Sequence, residues 1–312
     1  MSFLLAFSTV FPMFFYMAAG FGLRRLNKLS EGTVAQMNKI IYSFCFPFVL
    51  FHNVYGVDIA SAMNGPFLAV IAGMVVLVTA LLIVFIPRYT ASKPVQGSMM
   101  QGVIRGNSIL FALPVVTTIA GRENTGLVSL GIALVVPFYN ILCVIILESL
   151  RGGKVKPARL LLSILKNPII IGTLAGAFVR LTGLRPGARY HARTVTGIAG
   201  LVTPLALVML GADMRFSDTV KYKKELLIVC LLKLVAVPLL TVLTVKALGF
   251  DKIAVTTAMA MTAVPTAVSS YVMAKEMEAD GVLAGQIVAV STAVSILTVF
   301  LWVFSLSSLG WI

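Results

Sequence analysis

Two stretches of this sequence place a proline among small and polar residues inside otherwise apolar runs: Gly106-Asn107-Ser108 up to Pro114, and Thr262-Ala263-Val264-Pro265-Thr266 up to Ser269-Ser270. A proline within a helix removes one backbone donor and clashes with an earlier carbonyl. Hydrocarbon cannot satisfy the polar groups so freed, which must face protein or a water-filled cavity. If two helices break at one depth and cross, their half-helix N-termini bring partial positive charge and free N–H groups together, and this suits a carboxylate. Leu113 and Pro114 on one side, with Val264, Pro265 and Thr266 on the other, are the residues expected to border such a site. Asn107 lies seven residues, two helical turns, before Pro114, so both fall on one face. Its amide can donate to a carboxylate and accept from a hydroxyl. Tyr139 and Asn140, beside Pro137, are donors of the same kind. The alternative role for all three is an interhelical hydrogen bond, worth about 0.6–2 kcal/mol in a bilayer.

Lys233, five residues before Pro238, reads as the deepest basic charge, placed to snorkel, to pair with an acceptor or to compensate an anion. His52 is read as a hydrogen-bonded structural histidine or, less in keeping with its surroundings, a proton carrier. Arg105, Lys166, Asp213, Glu148 and Asp58 read as residues near the ends of apolar runs. No run carries the paired Asp or Glu of a proton or cation relay. HExxH, GxSxG, a Walker loop and paired Asp-rich motifs are all missing, so an enzyme, a cofactor and a metal ion find no support. Cys45, Cys143 and Cys230 lie singly in apolar runs and read as buried thiols.

The elements that would position these residues follow from composition. Of 312 residues, 59% are hydrophobic and 12% charged, whereas soluble domains average about 25% charged. Residues 59–87 and 281–312 contain no charged side chain, and each exceeds the ~20 residues that cross a bilayer. The formal charge of +14 does not indicate nucleic acid, because the basic residues sit in short connections between apolar runs. Apolar runs bounded by charges and turn residues predict ten spans, at 3–23, 33–53, 66–86, 95–120, 124–149, 160–181, 193–212, 224–247, 251–274 and 282–306. The first is expected to be a helix rather than a cleaved signal, since no basic stretch precedes it. The longest hydrophilic connection, 150–159, falls near the middle.

Connections after odd-numbered spans hold fourteen basic residues and those after even-numbered spans seven, which places both termini outside the cytoplasmic membrane. The halves 1–150 and 151–312 also repeat. Pro12, Gly20 and Arg24 meet Pro168, Gly176 and Arg180 at one offset of 156, Pro47 meets Pro204 at 157, and Pro114 meets Pro265 at 151. Five spans per half invert the second half, the plan of many secondary transporters.

These motifs resemble the auxin efflux carrier family, which joins bacterial malate and malonate permease-like proteins to the plant PIN-formed auxin exporters. The likeness runs along nearly the whole chain. It rests on Asn38-Lys39 through Pro47 to Phe51-His52, Asn107 through Leu113-Pro114, Asn167-Pro168 through Gly172, Leu210-Gly211-Ala212-Asp213-Met214, and Pro265 through Ala274-Lys275-Glu276. The resemblance implies an all-α, ten-helix fold like that of bile acid symporters and sodium/proton antiporters. Spans 1, 2, 6 and 7 would form a scaffold, and spans 3–5 and 8–10 a transport domain holding crossed, proline-broken spans 4 and 9. It further implies a substrate site lined by Asn107, Pro114, Tyr139, Asn140 and Pro265, elevator-like transport, and a homodimer. The chain lacks the long loop of the plant members between spans 5 and 6, and has Leu50 where they tend to place a small polar residue, so a small aliphatic carboxylate is expected rather than auxin. The function expected is efflux or uniport of a small organic anion, with a sodium-coupled symporter and a channel as alternatives.

Overall fold

The computed structural model describes residues 2–55, 64–151, 157–182, 190–214 and 216–312. Asp58, Gly152, Gly153, Lys154, Lys156, Arg185, Arg189 and Arg215 lie outside these residues. The described chain is helical, with no strand beyond one isolated bridge. In order come α1 (Ser2–Arg25), α2 (Glu31–Ile40) and α3 (Phe46–Tyr55), the latter two joined by a π-helical turn at Ile41–Cys45. Then follow α4 (Gly65–Tyr89), α5 (Lys93–Ile104), α6 (Ser108–Ala120), α7 (Gly126–Leu150), α8 (Pro157–Leu165), α9 (Pro168–Thr182), α10 (Tyr190–Asp213) and α11 (Phe216–Lys221). The chain ends with α12 (Lys223–Leu231) and α13 (Val237–Ala247), joined by a second π-turn at Leu232–Ala236, then α14 (Lys252–Thr262), α15 (Ser269–Glu276) and α16 (Gly281–Ser308).

Six helical stretches are long and apolar enough to cross a membrane: Glu31–His52, Gly65–Tyr89, Gly126–Leu150, Thr194–Asp213, Lys223–Ala247 and Gly281–Ser308. Ser108–Ala120 and Pro168–Arg180 are apolar but shorter. Six of the ten sequence-read spans therefore appear as full-length apolar helices, and spans 4 and 9 appear as the interrupted pairs α5/α6 and α14/α15.

Each π-turn lies just ahead of a proline. Pro47 and Pro238 sit at the second position of α3 and α13, and the carbonyls four residues earlier, on Ser43 and Leu234, fall within the π-turns. Widening the turn there accommodates the clash between the ring and that carbonyl, so both helices continue through their prolines. The expected proline break in span 4 is corrected in the same way. Pro114 lies inside continuous α6, and the interruption falls at residues 105–107. A proline costs α6 one internal bond, whereas Arg105 is extended (φ −85°, ψ 110°) because its backbone pairs with another segment. In the second pair Pro265 does fall within the interruption, at residues 263–268.

Two helix pairs pack with their backbones in contact. α1 lies against α10, where a Cβ on Gly20 would overlap the Val208 carbonyl and one on Gly211 the Met17 carbonyl. α9 lies against α3, where a Cβ on Gly172 would strike the backbone of Pro47 and one on Gly176 would come within 2.8 Å of the Phe51 carbonyl oxygen. The spacing Gly172-x-x-x-Gly176 is the small-residue pattern by which membrane helices approach closely, since lipid supplies no hydrophobic drive between them. α10 also packs on α3, which joins α1, α3, α9 and α10 into one group. The second group comprises α4, α5, α6, α7 and α12 to α16, with α5, α14 and α16 at its centre.

Polar contacts tie the groups together at one end. Asp213, at the end of α10, pairs with Lys275 and accepts a hydrogen bond from Tyr271 at 3.0 Å, both on α15, while Asn38 of α2 donates to the Tyr271 hydroxyl at 3.1 Å. Beyond the helices, Arg151 pairs with Glu278 at 2.6 Å and holds its carboxyl below the usual carboxylate range. That contribution is complete above the ordinary carboxylate pKa and lost as pH falls below it. It is small, because Glu278 is exposed.

Replacing Gly176 by leucine forces α9 away from α3, and overpacking of this kind costs about 1–3 kcal/mol. The melting temperature in detergent should fall for Gly176→Leu and stay unchanged for Gly73→Leu, whose glycine meets nothing within 4 Å. Equal melting of the two variants would refute the close packing.

Candidate functional site

The interruptions at 105–107 and 263–268 satisfy each other. Asn107 donates its backbone N–H to the Pro265 carbonyl at 2.8 Å, and Ala267 donates to the Arg105 carbonyl at 3.2 Å, which makes an antiparallel bridge of Gly106 with Thr266. Side chains complete the pairing. The Thr266 hydroxyl donates to the Gly102 carbonyl at 2.7 Å, Ser108 donates to Met261 at 3.2 Å, and Tyr139 donates to the Gly106 carbonyl at 2.8 Å. Gly106 has to be bare, since a Cβ would lie 2.9 Å from Val264 Cγ2 and 3.1 Å from Lys233 Nζ. These bonds hold part of the polar backbone of both breaks within protein, and the groups left over must face the adjoining cavities.

Beside this junction lies a cavity of about 630 Å3. One wall comes from the α1/α3/α9/α10 group, with Met13, Phe46, Leu50, His52, Thr203 and Pro204 among its residues. The other comes from the break and its neighbours: Arg105, Asn107, Pro114, Tyr139, Asn140 and Ser269. The first turn of α6, residues 108–110, borders the cavity, and its backbone N–H groups find no acceptor among the described residues. α15 likewise begins at the cavity, with Ser269. Two helix N-termini thus add partial positive charge to this wall.

Arg105 carries the full charge. It is buried to 3% exposure and donates to the Ser269 hydroxyl at 2.5 Å and to the Met273 sulfur, while its Nε has no partner. Neither partner is an anion, and no carboxylate pairs with it among the described residues. Asn107 Nδ2 and Asn140 Oδ1 are also buried without partners. The wall therefore presents one guanidinium, an amide donor and helix-end N–H groups with unused hydrogen-bonding capacity, opposite a wall that is mainly apolar. Such a set can hold a carboxylate, with charge-assisted bonds of about twice the strength of neutral ones.

The sequence reading located part of this set. Asn107, Pro114, Tyr139, Asn140 and Leu50 come together in the cavity. Leu113 faces outward and borders a shallow surface hollow with Thr117 and Thr118. Val264, Pro265 and Thr266 lie in the break but do not line the cavity; Val264 and Thr266 are buried, and Thr266 is occupied with Gly102 and Ser291. Lys233 reaches the junction from another side, against a separate small cavity. Arg105 is the residue the reading missed. The sequence reading places it near a run end, yet it lies well inside 95–120, directly before Gly106-Asn107, and that position is the available signal. His52 borders the cavity from the apolar wall.

Six helices long and apolar enough to cross a membrane, packed around a polar break and a cavity, are the features of a multi-pass membrane protein. A family described as membrane transport proteins matches residues 5–303, nearly the whole chain. The chain belongs to this family, the auxin efflux carrier type of membrane transporter. Among curated proteins none matches it.

The cavity predicts a labelling pattern. On a background with the three native cysteines removed, Thr203→Cys, on a partly exposed cavity-lining residue, should react with a small water-soluble thiol reagent much faster than Val264→Cys, which is 1% exposed inside the break. Equal rates would mean that water reaches both positions alike.

Proposed function

We infer that this transporter carries a small organic anion, a carboxylate, and that Arg105 is the group that binds it. The supporting observation is the buried guanidinium, with no carboxylate partner among the described residues, on the wall of a cavity large enough for such a solute. An arginine mid-span costs about 2.5–3.5 kcal/mol on insertion scales, and an anion entering the cavity offsets that cost. Asn107 and the first turn of α6 share the carboxylate oxygens with Arg105, and the apolar wall around Leu50 and Phe46 takes the organic body.

On this reading the ten spans form two inverted repeats, 1–150 and 151–312. The α1–α3, α9 and α10 group is the scaffold, and α4–α7 with α12–α16 the transport domain. The cavity draws its walls from both groups, which supports an elevator: the second group carries the junction and its anion past the first, so that the site meets each side of the cytoplasmic membrane in turn. The contacts of Asp213 with Lys275 and Tyr271 then hold one end closed and part during the movement. Net movement is efflux or uniport, with the termini outside and the carrier a homodimer.

Proteoliposomes test this with a panel of radiolabelled mono- and dicarboxylates. At least one should enter or leave with saturation, and Arg105→Gln should weaken its binding by tenfold or more, the loss of a hydrogen bond to a charged group of about 1.5–3 kcal/mol, in a protein that stays monodisperse. Flux that does not saturate would favour a channel. A carboxylate that moves unchanged through Arg105→Gln would place the anion elsewhere.

A further inference from the structure

The junction of the two breaks has a second electrostatic pole, distinct from the Arg105 wall. α5 ends at Ile104 and α14 at Thr262, so two helix C-termini, each with partial negative charge, meet there. The carbonyls of Val103, Ile104, Ala260 and Thr262 receive no donor among the described residues. Val103, Ile104 and Thr262 line a cavity of about 40 Å3, which also touches Gly106, Ser108, Tyr139 and Thr241. That space holds a few water-sized groups and excludes an organic anion. Into it comes Lys233 from the second π-turn, 2% exposed, with no hydrogen-bond or ion-pair partner among the described residues. Its Nζ and the Met261 carbonyl oxygen lie against the bare face of Gly106, 3.1 and 3.3 Å from where a Cβ would sit.

Half-helix C-termini and unwound carbonyls at a membrane break are where transporters coordinate a coupling cation. We propose that the Lys233 ammonium is the resident cation of this junction, standing on its tether where a bound sodium ion would otherwise sit, so that the carrier requires no sodium. The geometry of the π-turn serves this role. A π-turn shifts the phase of the following residues relative to an α-helix, and here it ends just before Pro238, with Lys233 directed at the junction rather than outward. An ammonium brings three donors and one positive charge, opposite in sign to the two helix ends beside it. The tether also keeps the amine at the junction through the transport cycle, which separates this site from one that loads and releases an ion.

The test needs no substrate, so its failure would leave the anion site at Arg105 standing, and failure of the anion site would leave this one standing. The melting temperature of the purified protein is measured in sodium, potassium and choline chloride at equal ionic strength. The wild type should melt alike in all three. Lys233→Ala should melt lower in choline and regain stability, saturably and at millimolar concentration, on addition of sodium or propylammonium, which refill the vacated place. Lys233→Met, which fills the space without charge, should melt low and respond to neither. If Lys233→Ala does not purify in choline, Lys233→Gln is measured in the same way. Saturable stabilisation of the wild type by sodium would overturn the proposal. So would an alanine or glutamine variant as stable as the wild type in choline, or one that no cation restores.

Discussion

Helices that stop partway through an apolar surrounding leave N–H and C=O groups that must find partners, and each one left without a partner costs several kcal/mol. This chain stops two helices, at 105–107 and 263–268, and lets the stops satisfy each other through the bonds of Asn107 with Pro265 and Ala267 with Arg105. Much else follows from that pairing. Gly106 has no side chain so that the segments can cross. Thr266, Ser108 and Tyr139 occupy carbonyls that the backbone bridge leaves over. The surrounding helices α7, α13 and α16 bury the junction in valine, isoleucine, leucine and alanine, where a misplaced polar atom would be expensive.

The pairing also sorts charge. The N-termini of α6 and α15 border the large cavity, while the C-termini of α5 and α14 meet at the small one. Each pole has one basic side chain, Arg105 at the first and Lys233 at the second, and among the described residues neither has a carboxylate partner. The two have different electrostatic tasks. Arg105 adds to the positive helix ends, which makes its wall attractive to an anion from outside. Lys233 opposes the negative helix ends, which leaves its pole neutralised from within. A fork-shaped guanidinium suits a planar carboxylate, and a compact ammonium on a flexible stem suits a crowded set of carbonyls.

Much of the fold could be read from the sequence because lipid imposes long apolar runs, and their limits are marked by charges and turns. Spans 3, 5, 8 and 10 correspond within a few residues to α4, α7, α12–α13 and α16. The polar pair Asn107 and Asn140 stood out because such residues are costly mid-span. The position of the break did not, because proline appeared to be the breaker. Pro47, Pro114 and Pro238 are all carried within helices, two of them by π-turns, and the actual stop is decided by a partner segment some 160 residues away. Once the break is moved to Gly106, Arg105 changes from a residue near a run end to the charge on a cavity wall. Likewise Val264 and Thr266 lie at the interruption as expected, but the side that Thr266 faces depends on its bonds with Ser291 and Gly102 and carries no local signature.

The central claim is that a buried guanidinium at the junction selects for negative charge. The most direct measurement is binding, by thermal stabilisation or calorimetry, of each carboxylate in a panel against its primary amide, which matches it in shape and lacks only the charge. The account predicts saturable binding of at least one carboxylate, no detectable binding of its amide, and loss of that preference in Arg105→Gln. Amide and carboxylate binding equally well to the wild type, or a charge preference that survives Arg105→Gln, would contradict it.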